Sequence, residues 1–267
     1  MSALLGKVAV VTGSGNGIGR AIALAMAEAG ASVTVSDVLV EDGERTVREI
    51  TALGGSAIFV PADIAVAVQA QNLIESTVTA FGGIDILVNN AGMGGPSVRL
   101  HEIDPDDFDR VLDVNLRGTF LCSKFALPHF LAKRDGRIIN IASTYGIVAA
   151  PKSAAYCATK AGIIHLTRQL AVDYGPDQIR VNAICPGYID TSLGRRAALL
   201  TTEEFVDASA RREKAAGMQP LGRQAQPSEV ASVAVFLAGD GASFMTGSIV
   251  TVDGGCTTTF NYGEASN

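Results

Sequence analysis

One feature constrains this chain more than any other. Short β-branched apolar runs alternate with longer stretches of helical periodicity from end to end. The strand candidates are Val8–Thr12, Ser32–Ser36, Ala57–Val60, Ile84–Val88, Arg137–Ala142, Arg180–Cys185 and Ile249–Val252. They are mostly apolar on both faces, the pattern of parallel strands covered on both sides. Between them lie helical stretches near 17–29, 41–53, 65–81, 105–133, 154–174 and 227–238, several ended by a glycine such as Gly30, Gly54 or Gly175. Strand–helix alternation of this length implies right-handed crossovers and a doubly wound, seven-stranded parallel α/β sheet with helices on both faces. No composition break, linker or internal repeat marks a second domain, so 1–267 is expected to be one domain.

Composition narrows the function classes. The 267 residues hold 21 Lys+Arg against 27 Asp+Glu, a formal net charge of −6. That balance speaks against a phosphate-neutralising nucleic-acid binder and against an anionic membrane surface. Apolar residues make up 48% of the chain, which excludes wholesale disorder. Cys122, Cys157, Cys185 and Cys256 lie far apart with no C-x-x-C pair, so a disulfide framework or zinc site is not expected. No apolar run approaches the length of a spanning helix, and Lys7 with the glycines from Gly13 interrupts the only apolar stretch near the N-terminus. The expectation is a soluble cytoplasmic protein.

Three motifs carry chemistry. Thr12-Gly13-Ser14-Gly15-Asn16-Gly17-Ile18-Gly19 follows a strand and opens a helix, where glycines let backbone approach a pyrophosphate at the helix N-terminus. Its spacing is G-x-x-x-G-x-G through Gly13, Gly17 and Gly19, not G-x-G-x-x-G, whose last position would be Ile18. Asp37 closes the second strand, and a carboxylate there can accept both ribose hydroxyls of an adenosine while repelling a 2′-phosphate. Neither Asn16 nor Val38 supplies the positive charge such a phosphate would need, so NAD is favoured over NADP. Last come Ser143, at a strand end, and Tyr156-x-x-x-Lys160, whose ends share a helix face. A phenol is a poor acid–base catalyst near neutrality unless a cation favours phenolate, and Lys160 can supply that cation.

In this ordered set the chain resembles the short-chain dehydrogenases/reductases, in their roughly 250-residue single-domain, Rossmann-like form. The resemblance spans residues 6–255. It runs through the Gly-rich turn, Asp63, Asn89-Asn90-Ala91-Gly92, Asn115 in Val114-Asn115-Leu116-Arg117-Gly118, Ser143, Tyr156 with Lys160, Pro186-Gly187 and Thr191. It implies that Tyr156 is the general acid/base and that Ser143 polarises the carbonyl. Lys160 would lower the Tyr pKa and hold the nicotinamide ribose, and Asn115 would support a water-linked proton relay. Cofactor contacts are implied at Gly13, Asn16, Gly17, Ile18, Gly19, Asp37, Asp63, Ile64, Asn89, Ala91, Gly92, Tyr156, Lys160, Pro186, Gly187, Ile189 and Thr191. Asp63 would meet adenine, Asn89 the cofactor side of the sheet end, and Ile189 with Thr191 the carboxamide.

The expected activity is NAD-dependent interconversion of a small secondary alcohol and a ketone, walled by Met93, Tyr145, Val148 and Tyr188. A 3-oxoacyl-thioester reductase, a sugar or polyol dehydrogenase, and a non-catalytic NAD-binding sensor or scaffold stay open as alternatives. Between Asp190 and Pro220 ten of 31 residues are charged, and this segment after a strand end is expected to be a substrate lid. His101, His129 and His165 have no ligand spacing, so no metal is assigned. Residues 256–267 form a tail that is either free or crosses a subunit interface. The helix 154–174 is apolar around most of its circumference. Burial within the subunit would explain that, whereas the resemblance implies a dimer interface within a homotetramer.

Overall fold

The computed structural model describes residues 2–191, 210, 213–217 and 219–258. Seven strands form one parallel sheet: β1 (Val8–Thr12), β2 (Ser32–Ser36), β3 (Ala57–Phe59), β4 (Ile86–Asn89), β5 (Gly136–Ile141), β6 (Ile179–Pro186) and β7 (Ile249–Val252). Their order is β3-β2-β1-β4-β5-β6-β7. The direction of winding therefore reverses between β1 and β4, the switch point where open α/β sheets hold their ligands. The helices that flank the sheet among the described residues include α1 (Gly17–Glu28), α2 (Val40–Ala52), α3 (Ala67–Phe81), α4 (Pro105–Leu112), α5 (Gly118–Lys133), α6 (Ala154–Tyr174) and α7 (Pro227–Ala238).

Alternate strand residues feed two cores. Ala9, Val11, Ile86, Val88, Ile139 and Ile184 pack with α1 and α7 residues such as Ile22, Met26, Ala234 and Leu237. Val10, Leu87, Ile138 and Val181 point the other way, against Leu73 and Ile74 of α3 and Cys122, Ala126 and Phe130 of α5. Both faces are covered, which is why the strands read as continuous apolar runs. Arg180 caps α7 by donating to the carbonyls of Leu237 at 2.8 Å and Gly239 at 3.1 Å.

The expected boundaries shift in instructive places. Ile84 precedes its strand, which starts at Ile86 and runs on to Asn89. The stretch expected as one helix over 105–133 is interrupted by a π-helical turn at Asp113–Arg117. A Cβ at Gly118 would stand 2.5 Å from Ile64 Cδ1, so α5 begins where the chain passes tightly under the β3–α3 loop. π-turns widen a helix by one residue and often re-aim a side chain at a functional site, and here that residue is Asn115. Of the lid expected over 190–220, residues 192–209, 211, 212 and 218 lie outside the described residues, as do 259–267 of the tail. Among the described residues no helix is long and apolar enough to cross a membrane.

Candidate active site

A cavity of about 750 Å³ opens over the switch point. That is within the roughly 300–1,000 Å³ of ordinary ligand sites. Gly13 turns the chain there with φ +61°, and a Cβ on it would come within 2.8 Å of Ala91 Cα. Only glycine keeps this floor open at that approach. Behind the turn, Thr12 Oγ1 accepts the N–H groups of Asn90 (3.0 Å) and Ala91 (3.1 Å). Asn90 Nδ2 donates back to the carbonyls of Thr12 (2.9 Å) and Gly13 (3.0 Å), stitching β1 to the end of β4. Gly19 lies in the first turn of α1, where a Cβ would stand 2.2 Å from the Gly13 carbonyl oxygen. Its smallness lets α1 point its N-terminus and positive dipole end into the cavity, with the Gly17 N–H capped by Asn16 Oδ1 at 2.6 Å.

At one end of the cavity stands Asp37. Its carboxylate accepts the Gly15 N–H at 2.9 Å and the Leu39 N–H at 3.0 Å, one on each oxygen. A carboxylate offers about four acceptor sites, so two remain for hydroxyl donors. The nearby cation, Arg45, is occupied by Asp42 at 2.6 Å and by the Gly15 carbonyl at 3.1 Å. Asp63, Ile64 and Val114 line the same end.

Ser143, Tyr156 and Lys160 line the other end. Ser143 Oγ accepts the Tyr145 N–H at 3.1 Å, capping the short 3-10 turn Thr144–Gly146. The Tyr145 ring meets that of Tyr156 edge-on, centroids 6.2 Å apart at 84°. Burial pushes the Tyr145 hydroxyl pKa up, reinforced by its hydrogen bond with Tyr188. Lys160 is 4% exposed, its Nζ 5.5 Å from the Tyr156 ring centroid and donating to the Ile141 carbonyl at 2.8 Å. Burial pulls its pKa down from 10.5 to about 8. Asn115 is fully buried behind the cavity. Its Oδ1 accepts the Met93 N–H at 2.8 Å, while Nδ2 donates to the Met93 carbonyl at 2.9 Å and Thr159 Oγ1 at 3.1 Å.

Residues 13–257 match the family profile described as enoyl-(acyl carrier protein) reductase, and relatives about 40% identical cover most of the chain. The chain belongs to the short-chain dehydrogenase/reductase family. Among these dehydrogenases it is 42% identical over 251 residues to a cis-4-hydroxycyclohexanecarboxylate dehydrogenase of Sinomonas cyclohexanicum, covering 94% of this chain and 96% of that one. A cyclohexanol dehydrogenase of an Acinetobacter species is 38% identical, with 94% and 95% covered. The crystal structure of a levodione reductase superposes with a TM-score of 0.90 at 32% identity, over 96% of this chain and 100% of that one. This protein is thus an oxidoreductase of a family that binds a nicotinamide cofactor. The glycine floor, the helix N-terminus and the Asp37 acceptors fit such a dinucleotide.

Most of the residues singled out from the sequence of this oxidoreductase line the same cavity: Gly13, Asn16, Gly17, Ile18, Asp37, Asp63, Ile64, Ala91, Gly92, Ser143, Tyr156, Lys160, Pro186, Gly187, Ile189 and Thr191. Gly19 and Asn115 support it from behind. Asn89 does not reach it, because its amide is buried and donates to Ser123 Oγ (3.1 Å) and Asn140 Oδ1 (2.8 Å). Its neighbour Asn90 takes the cavity position. Of the expected substrate walls, Met93 lines the cavity, Tyr188 lines a smaller one beside it, and Val148 is exposed. Sequence reasoning missed Thr159, the hydroxyl that joins Asn115 to α6. Its only signal was its place between Tyr156 and Lys160.

Proposed function

We propose that this chain is an NAD(H)-dependent oxidoreductase that interconverts a secondary alcohol and a ketone, with Tyr156 as general acid/base. The convergence of Ser143, Tyr156 and Lys160 at one end of a cavity whose other end holds Asp37 carries this reading. A nicotinamide cofactor held between the Gly13 turn, Asp37 and Lys160 would supply the hydride acceptor for oxidation and the donor for reduction.

The chain's own residues do the rest. Tyr156 Oη, as phenolate, removes the alcohol proton, and as phenol it protonates the ketone oxygen in reduction. Ser143 Oγ already accepts the Tyr145 N–H, so its own hydrogen is free to bond the substrate oxygen. One Lys160 N–H is fixed on Ile141. An ammonium has three, so two remain for the nicotinamide ribose, and its charge favours the phenolate. Asn115, with its amide committed to Met93 and Thr159, holds the loop after β4 against α6. Asp37 accepts the adenosine ribose hydroxyls and repels a 2′-phosphate, since Arg45 is already paired. Two relatives described above act, by name, on hydroxylated cyclohexane rings, which makes six-membered carbocyclic alcohols the substrate class of choice. The reading further takes the chain as one cofactor-binding and catalytic domain, assembled as a homotetramer in the cytoplasm.

The decisive variant is Tyr156→Phe. It keeps the ring and removes only the proton-transferring oxygen, so turnover is expected to vanish while NADH affinity by fluorescence titration stays within about twofold. Turnover retained in that variant would refute the mechanism.

A further inference from the structure

The helix that carries Tyr156 and Lys160 is poorly suited to hold them still by packing. The first turns of α6 are rich in small residues, Ala154, Ala155, Ala158, Ala161 and Gly162. These interlock little, and apolar contact has no direction that would fix a helix against rotation or sliding. Its polar contacts do have direction. Besides the Lys160 bond to Ile141 on β5, Thr167 Oγ1 accepts from Asn140 Nδ2 of β5 at 2.9 Å. Lys160 and Thr167 are seven residues apart, about two turns, so both face the sheet.

The polarity of this contact is fixed from both ends. Thr167 Oγ1 donates to the Ile163 carbonyl at 2.8 Å, so it can only accept from Asn140. Asn140 must then present its amide N–H to α6 and its Oδ1 to Asn89, whose Nδ2 donates at 2.8 Å. Asn89 and Asn140 are register partners on β4 and β5. Asn89 Nδ2 also reaches Ser123 Oγ on α5, which donates to the Thr119 carbonyl at 2.8 Å. Thr119 Oγ1 donates in turn to the Asn115 carbonyl at 2.7 Å. Asn140 and Thr167 are fully buried, and Asn89 Oδ1 has no partner among the described residues, so this line costs more than apolar side chains would.

We propose that the buried line Ser123–Asn89–Asn140–Thr167 positions α6, fixing its rotation and axial register so that Tyr156 and Lys160 meet the substrate in line with Ser143. This rests on the reading of Tyr156 and Lys160 as the catalytic pair. Thr167 is a positioning residue, two turns from the chemistry. With its bond in place, Lys160 does not have to anchor its own helix to β5.

The test is Thr167→Val, which keeps the shape and removes the hydroxyl, beside Thr167→Ser, which restores it. Two readouts are taken: hydrogen–deuterium exchange on the NADH-bound protein, and steady-state turnover with NAD and an alcohol. Hydrogen–deuterium exchange across residues 158–166 is expected to quicken in the valine variant and return to the parent rate in the serine variant. The kcat for alcohol oxidation is expected to fall about ten- to a hundredfold, the scale of a small misplacement of reacting groups, with the KM for cofactor unchanged. Exchange and kcat both at parent values, with only the melting temperature lowered, would reduce the line to a structural feature and overturn the proposal. Should the valine variant fail to fold, Thr167→Ala is read in the same way. The exchange arm decides the tether even if no alcohol is turned over, so its failure is distinct from failure of the catalytic reading.

Discussion

Lys160 is where burial and chemistry meet. Taking an ammonium out of water costs free energy, and that cost brings its pKa down to about 8. The side chain is cationic below that pH and neutral above it, so the charge that favours the Tyr156 phenolate is withdrawn as pH rises. An alkaline limb near pH 8 is expected in kcat/KM for cofactor. Lys160→Arg, which stays charged, is expected to lose that limb, and a profile identical to the parent's would contradict the assignment. Asp37 makes a second prediction at this scale. Asp37→Ser removes acceptors for two ribose hydroxyls, so kcat/KM with NAD is expected to fall roughly ten- to a hundredfold while NADP loses its repulsion. Side chains whose chemistry demands one residue type, such as Asp37, Ser143, Tyr156 and Lys160, were legible in the sequence as candidates for this cavity. Asn89 was not, because an amide suits a cofactor contact and a buried bridge equally well, and only the face of β4 it occupies separates the two.

Among the elements, the Gly-rich turn does the most with the least. Gly13 combines a left-handed φ of +61° with a 2.8 Å approach to Ala91, so Gly13→Ala meets both a backbone and a steric penalty. The backbone part alone is about 1–2 kcal/mol. A melting-temperature drop of about 2–8 °C is expected, together with loss of NADH binding. Binding at parental affinity would show that the turn is not the cofactor floor. The sheet was legible because both-face burial writes itself into strand composition. The break between α4 and α5 was not: the periodicity of 105–133 continues through Asp113–Arg117, and the π-turn there answers to Met93 and Ile64, which lie far off in sequence. Long-range contacts of that kind leave no local trace.

At the scale of the whole molecule, several large apolar side chains stand in solvent, among them Phe244 and Val172 at 104% and 74% exposure and Phe120 at 47%. Such groups suit an assembly, and light scattering is expected to give a mass four times that of one chain; a monomer mass at working concentration would refute the tetramer. The central claim concerns chemistry, and the most direct measurement is formation of NADH from NAD. The panel comprises cyclohexanol, open-chain secondary alcohols, polyols and 3-hydroxyacyl thioesters, each run also with NADP and with the Tyr156→Phe variant as blank. A rate on secondary ring alcohols, preferring NAD and absent in the variant, is predicted. NADH bound but no alcohol oxidised, or a rate that survives the loss of the Tyr156 hydroxyl, would contradict the account.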